Sequence, residues 1–170
     1  MNEDALDAAL ARIAALMDRS EHEAALEQCG VLMDDHETRR AGLRARAEIY
    51  ARMKDRDRAI ADLEELVCSD DVEPADRFGL GVLLWRSGRL DDAARSFRRS
   101  IDIGFEEGFH YYSNAAAMHL AGVLILLGRR EEALECCEMI PDDYASYLPG
   151  GVRTKEQLIE EARSSDRSSR

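Results

Sequence analysis

Four short segments of like character recur along the chain at near-equal spacing, and that spacing constrains the fold more than any other feature. Ala25-Leu26-Glu27-Gln28-Cys29, Ala59-Ile60-Ala61-Asp62-Leu63, Ala93-Ala94-Arg95-Ser96-Phe97 and Ala133-Leu134-Glu135-Cys136-Cys137 begin on alanines 34, 34 and 40 residues apart. A fixed period of roughly 20–50 residues marks an array of like units, each burying its apolar face against the next. Helix formers dominate between the segments, strand-favouring residues are sparse, and no stretch alternates cleanly with period two. Only three prolines interrupt the 170 residues. The spacing therefore predicts an all-α chain with essentially no strand, in which each unit is a pair of antiparallel helices. A small residue is required where the second helix crosses the first, because a larger side chain would hold the backbones apart.

A spacing of 34 is the length of one tetratricopeptide (TPR) unit, and the chain resembles that family at further positions. The third unit reads Leu80-Gly81, Leu84, Gly88, Ala93 and Phe97; the fourth reads Leu120-Ala121, Leu124, Gly128, Ala133 and Cys137. The second carries Ala47, Tyr50, Ala59 and Leu63. The first, with Ile13, Leu16, Ala25 and Cys29, is weakest, as a terminal repeat should be. Gly88 and Gly128 stand where a first helix ends and φ must turn positive. Ser20 and Lys54 replace them in the other units, which leaves those two turns less defined. The resemblance implies a right-handed superhelical solenoid. Its repeats are placed at about 6–39, 40–73, 74–107 and 114–147, within a single domain over 1–163.

Two segments depart from the repeat. Residues 104–113 add about six positions and four aromatic side chains, read either as a loop or as an added turn on the next helix. The tail opens on Pro141-Asp142-Asp143-Tyr144 and Leu148-Pro149-Gly150-Gly151. Thr154 and Gln157 then form a capping box, and Leu158, Ile159 and Ala162 give the following residues one apolar face. A helix over 154–163 should cap the last repeat, and 164–170 are expected to be a disordered tail.

The resemblance also implies where a partner would lie, because in TPR proteins the first helix of each unit lines a concave groove. Carried over by repeat position, that groove comprises Arg44, Glu48 and Arg52; Phe78, Val82, Trp85 and Arg86; and Met118, Gly122, Ile125 and His119. One end is charged and the other apolar, and Trp, Phe, Met and Arg are side chains enriched at binding hot spots. Trp85 and Phe78 are equally open to a core reading, tucked between helices. The family's carboxylate clamp is absent: Arg44 could stand for its first lysine, but Glu48 holds an asparagine position and Gly79 and Ala75 hold later basic ones.

The stretch Ala115–Leu127 is apolar nearly all round, and such a helix must be buried on every side. Neighbouring repeats cover only part of it. Three covers are open: the Tyr144–Gly151 segment folding back, a second copy, or a partner. The reading adopted is a monomer with a partly self-covered groove and a partner meeting Phe78, Trp85 and Arg86.

Charge and cysteine usage bound the partners. A net charge of −12 argues against nucleic acid, since phosphate contacts need clustered Lys and Arg. Residues 1–39 carry −7 and residues 114–147 carry −4, which suits a basic or neutral protein or peptide. Cys29, Cys68, Cys136 and Cys137 show no paired spacing and are read as core fillers in a reducing, cytoplasmic compartment. The opening Met1-Asn2-Glu3-Asp4 is acidic where a signal peptide would be basic, and no apolar run reaches membrane-spanning length. Asp34-Asp35-His36-Glu37 are consecutive and cannot converge on one ion without an unusual loop. No spacing of Ser, His and Asp singles out a catalytic set. The function expected is non-catalytic protein–protein interaction, without metal or cofactor. The alternative is an immunity protein or secretion chaperone that sequesters a toxin or translocator, because small acidic TPR chains of this length are similar to both.

Overall fold

The computed structural model describes residues 2–68, 72–106, 108 and 110–164, the side chain of His110 excepted. The expected disordered tail falls outside these residues, except Ser164, which ends a helix. Where the sequence places one domain, helix packing divides the chain into two compact units, Met1–Val72 and Glu73–Arg170. The first holds α1 (Glu3–Asp18), α2 (His22–Met33), α3 (Arg39–Arg52) and α4 (Arg56–Leu66). The second holds α5 (Pro74–Arg86), α6 (Leu90–Glu106), α7 (His110–Leu126) and α8 (Arg130–Glu138). It continues through β1 (Ala145–Leu148) and β2 (Gly151–Thr154) to α9 (Lys155–Ser164). No helix among the described residues is long and apolar enough to cross a membrane.

The recurring alanines do what the spacing requires. Ala25, Ala59, Ala93 and Ala133 are each fully buried in the second helix of a pair. The residue four positions further on in each pair is Cys29, Leu63, Phe97 or Cys137, and it is buried too. Where this residue is largest, its neighbour is smallest: a Cβ on Gly81 would lie 2.6 Å from Phe97 Cε1.

All four helix pairs turn in the same way. The first helix ends with a backbone N–H reaching five residues back: Glu21 to Leu16, Asp55 to Tyr50, Arg89 to Leu84 and Arg129 to Leu124, at 2.8–2.9 Å. The residue before each of these donors has positive φ, namely Ser20 (60°), Lys54 (63°), Gly88 (78°) and Gly128 (74°). Ser20 and Lys54 therefore adopt the turn that glycine makes in the other units, against the steric preference of an L-residue. Replacing Lys54 with glycine should raise stability by about 1 kcal/mol, read as an upward shift of the urea midpoint. An unchanged or lowered midpoint would show that Lys54 is unstrained.

The inserted residues resolve into helix on both sides, since α6 extends to Glu106 and α7 begins at His110. The tail departs from the all-helical expectation. β1 and β2 form an antiparallel hairpin with Tyr147 opposite Val152 and Leu148 opposite Gly151. Pro149 and Gly150 make its turn, with Gly150 at φ +108°, the residue pair a type II turn favours. The capping box that follows is formed: Thr154 N–H donates to Gln157 Oε1 (2.9 Å) and Gln157 N–H to Thr154 Oγ1 (3.3 Å). Leu158 and Ala162 of α9 are buried, and α9 packs on α7 and α8.

Candidate functional site

The first helices of the two pairs in the first unit, α1 and α3, frame an open cleft of about 230 Å³. Leu10, Ile13, Ala14 and Met17 of α1 supply an apolar floor. Ala41, Arg44, Ala45, Glu48 and Arg52 of α3 supply the facing wall and rim. The three groove residues expected from this part of the chain are thus brought together. The α1 floor was missed, although Leu10, Ile13, Ala14 and Met17 share one helical face at spacings of three and four. Ion pairs hold the rim. Arg52 bonds Glu48 at 3.1 Å and lies 3.5 Å from Asp18, and both acids are well exposed. The two small residues Ala14 and Ala45 keep the cleft wide enough for a side chain from elsewhere.

The apolar end of the expected groove is a different environment. Trp85, Met118 and His119 are buried, at 9, 0 and 3% exposure, Phe78, Val82 and Ile125 are half-buried, and only Arg86 of this group is exposed. As groove residues open to a partner, Trp85, Met118 and His119 are corrected. The reason is a cover: β1 lies over α7, and Leu148 reaches the surface that Gly122 leaves open. A Cβ on Gly122 would lie 2.8 Å from Trp85 Cη2 and 2.9 Å from Leu148 Cδ2. Of the three covers open for the apolar helix, the chain's own segment is the one in place.

Beneath this cover the aromatic residues gather on His119. Its ring meets Phe78 at 4.9 Å and Trp85 at 5.8 Å edge-on, and Phe97 at 5.4 Å tilted. Nδ1 lies 2.8 Å from the Ala115 carbonyl one turn back, and a backbone hydrogen bond links the ring to Tyr147 of the hairpin. Burial pushes the His119 pKa below its ordinary value of 6.5 and the Arg86 charge pushes the same way, while the two backbone bonds oppose the shift. The sign for stability follows. Above pH 6.5 the ring is neutral in folded and unfolded chains and contributes no slope. As pH falls below 6.5 the unfolded chain takes up the proton first, so stability falls until the folded pKa is passed. A His119→Gln variant should lose this slope between pH 6.5 and 5 in urea titrations. An equal slope in both proteins would assign it to other groups.

Burial raises the Cys29 and Cys136 thiols to about 11, and raises Cys137 as well, so they are poor nucleophiles at neutral pH. Cys68 corrects the core-filler expectation, for it is exposed. The acidic run Asp34–Glu37 forms the turn before α3. Asp35 Oδ1 accepts from Glu37 N–H at 3.0 Å, and buried Thr38 donates to the Leu32 carbonyl at 2.7 Å. Among the described residues no three His, Cys, Asp or Glu side chains converge as metal ligands.

No protein-family model and no curated protein matches the sequence. Solved structures do match the fold. One is a putative kinesin light chain of Podosopora anserina with nearly identical TPR-like repeats, at TM-score 0.72 and 15% identity over 96% of this chain and 88% of that one. A second is MamA, at TM-score 0.65 and 16% identity over 79% of this chain and 70% of that one. A third is YrrB, described as a TPR protein with an unusual peptide-binding site, at TM-score 0.63 and 14% identity over 77% and 64%.

Proposed function

We propose that this chain, whose fold is that of the tetratricopeptide-repeat proteins, is a non-catalytic interaction module that binds a protein or peptide segment in the cleft between α1 and α3. The observation that carries the reading is the pairing of an open apolar floor (Leu10, Ile13, Ala14, Met17) with a rim of Arg44, Glu48 and Arg52. Such a site takes one bulky apolar side chain in its centre and polar groups at its edge, the anatomy of a small recognition patch. The −7 charge of residues 1–39 favours a basic segment around that anchor. The peptide-binding description of YrrB is in keeping with this use of the fold. Phe78, Val82, Trp85, Arg86, Met118, His119 and Ile125 enter this reading as the inner face of the second unit, closed by the hairpin in the state described.

The test is selection of peptides from a random displayed library on the intact chain, followed by affinity measurements with Ala45→Trp, which fills the cleft. Selected peptides should carry a large aliphatic or aromatic anchor beside basic residues. They should lose roughly tenfold or more in affinity for a variant that melts with the parent, the scale of one hot-spot side chain. Peptides that bind parent and Ala45→Trp alike would place recognition elsewhere. The same acidity supports a second reading, sequestration of a basic toxin or secreted translocator. It predicts that binding of such a protein weakens steeply with salt.

A further inference from the structure

We propose that the inner face of the second unit is itself a peptide-binding site, that the chain's own hairpin is its resident ligand, and that a partner segment presenting a leucine-like side chain displaces it.

The apolar contact between hairpin and helices rests on one side chain. Leu148 is the one hairpin side chain that is fully buried, against Trp85 and Gly122. The hairpin is also tied by a backbone hydrogen bond between Tyr147 and His119 and by the part-exposed ion pair from Arg153 Nε of β2 to Glu161 Oε1 of α9, at 2.9 Å. A bulky aliphatic side chain in a socket plus a main-chain bond is how grooves hold extended peptides, with the pocket giving specificity and the backbone adding affinity. Gly122 is what makes the socket: a side chain there would collide with Trp85 and with the occupant alike.

The opposite face of the hairpin is left open by the described residues. Tyr147 and Val152, paired across the strands, are 68 and 60% exposed. A two-stranded hairpin is marginal by itself, so this one is held by its seat. The loop that carries it is closed at its neck. Lys155 Nζ donates to the Ile140 carbonyl at 2.8 Å and to Asp142 Oδ1 at 2.7 Å, clamping the end of α8 to the start of α9. Leu158 and Ala162 anchor α9 separately. The hairpin can therefore lift as a unit about this neck while α8 and α9 stay packed, parting only the Arg153–Glu161 ion pair, a part-exposed pair of small worth. The inference concerns a site other than the α1–α3 cleft, and its failure leaves the reading of that cleft untouched.

Trp85 is the chain's single tryptophan and touches the socket, so its fluorescence reports occupancy directly. The probe is a synthetic decapeptide with the sequence of residues 145–154. Added to the intact Leu148→Ala chain, it should reverse, saturably, the red shift and extra acrylamide quenching that the substitution causes. The same peptide with its leucine changed to alanine should not. A Leu148→Ala chain that keeps its helical spectrum but shows no response to millimolar peptide overturns the proposal. Hydrogen exchange of the parent protein gives an answer that needs no variant. Amides of 145–154 should exchange at least about 100-fold faster than those of α7, as a separately opening segment does. Equal protection of the two would make the hairpin a permanent part of the core, and the proposal would fail.

Discussion

A chain ending at Asp143 should lose the cooperative unfolding of its second unit and bind hydrophobic dyes, while the first unit keeps its helical signal. The truncation removes Leu148, Leu158 and Ala162, all at 3% exposure or less. At roughly 1.5–3 kcal/mol for each fully buried leucine, the two leucines alone account for about 3–6 kcal/mol. Since a whole domain is stable by about 5–15 kcal/mol, that loss is decisive. It also uncovers α7, in which residues 115–124 are buried without a break. A truncated protein that stays monomeric and melts at the parent's temperature would show that α7 is covered by something other than the tail. This result is distinct from lifting the hairpin alone, because the truncation also removes α9.

The second large effect belongs to the first unit. Asp62 of α4 is 7% exposed at its side chain, and it accepts two hydrogen bonds from Arg46 of α3, at 2.9 Å from Nε and 2.6 Å from Nη2. This bidentate geometry is the strong form of a charge-assisted pair. Its desolvated member is the carboxylate. Arg46→Leu strands that carboxylate and should cost about 3 kcal/mol, the low end of the range for breaking a buried pair, because Arg46 is itself 29% exposed. The double change Arg46→Met with Asp62→Leu should recover most of the loss, since apolar isosteres replace such pairs at little cost. Guanidinium titrations of the parent and both variants give the comparison. If the double variant is as unstable as Arg46→Leu, packing rather than the stranded charge sets the effect.

The fate of the groove residues separates what was legible from what was not. Arg44, Glu48 and Arg52 could be placed from the sequence because they recur on one face of a first helix, at spacings of four, and no later described residue of their unit returns to cover them. Met118 and Gly122 sit at the matching repeat positions of the fourth pair, yet they are buried, as are Trp85 and His119 beside them. What changed their role is Leu148, which lies 63 residues beyond Trp85 in the chain. No periodicity links those two positions.

Local rules determined much of this protein. The recurring alanines, the glycines at 88 and 128 and the Thr154–Gln157 box each act through residues a few positions away or one repeat away. Their consequences (paired helices, common turns and a final helix) follow from short-range sterics and hydrogen bonding. Ser20 and Lys54 show the limit of that reading, because they adopt a left-handed turn that their own side chains disfavour. Tertiary structure alone decided the rest. Four-residue strands are too short for alternation to register, and the hairpin exists because Leu148 finds a socket made by Gly122 and Trp85. The sequence required that the apolar helix be covered; only the packing of the hairpin and of α9 upon it decided by what.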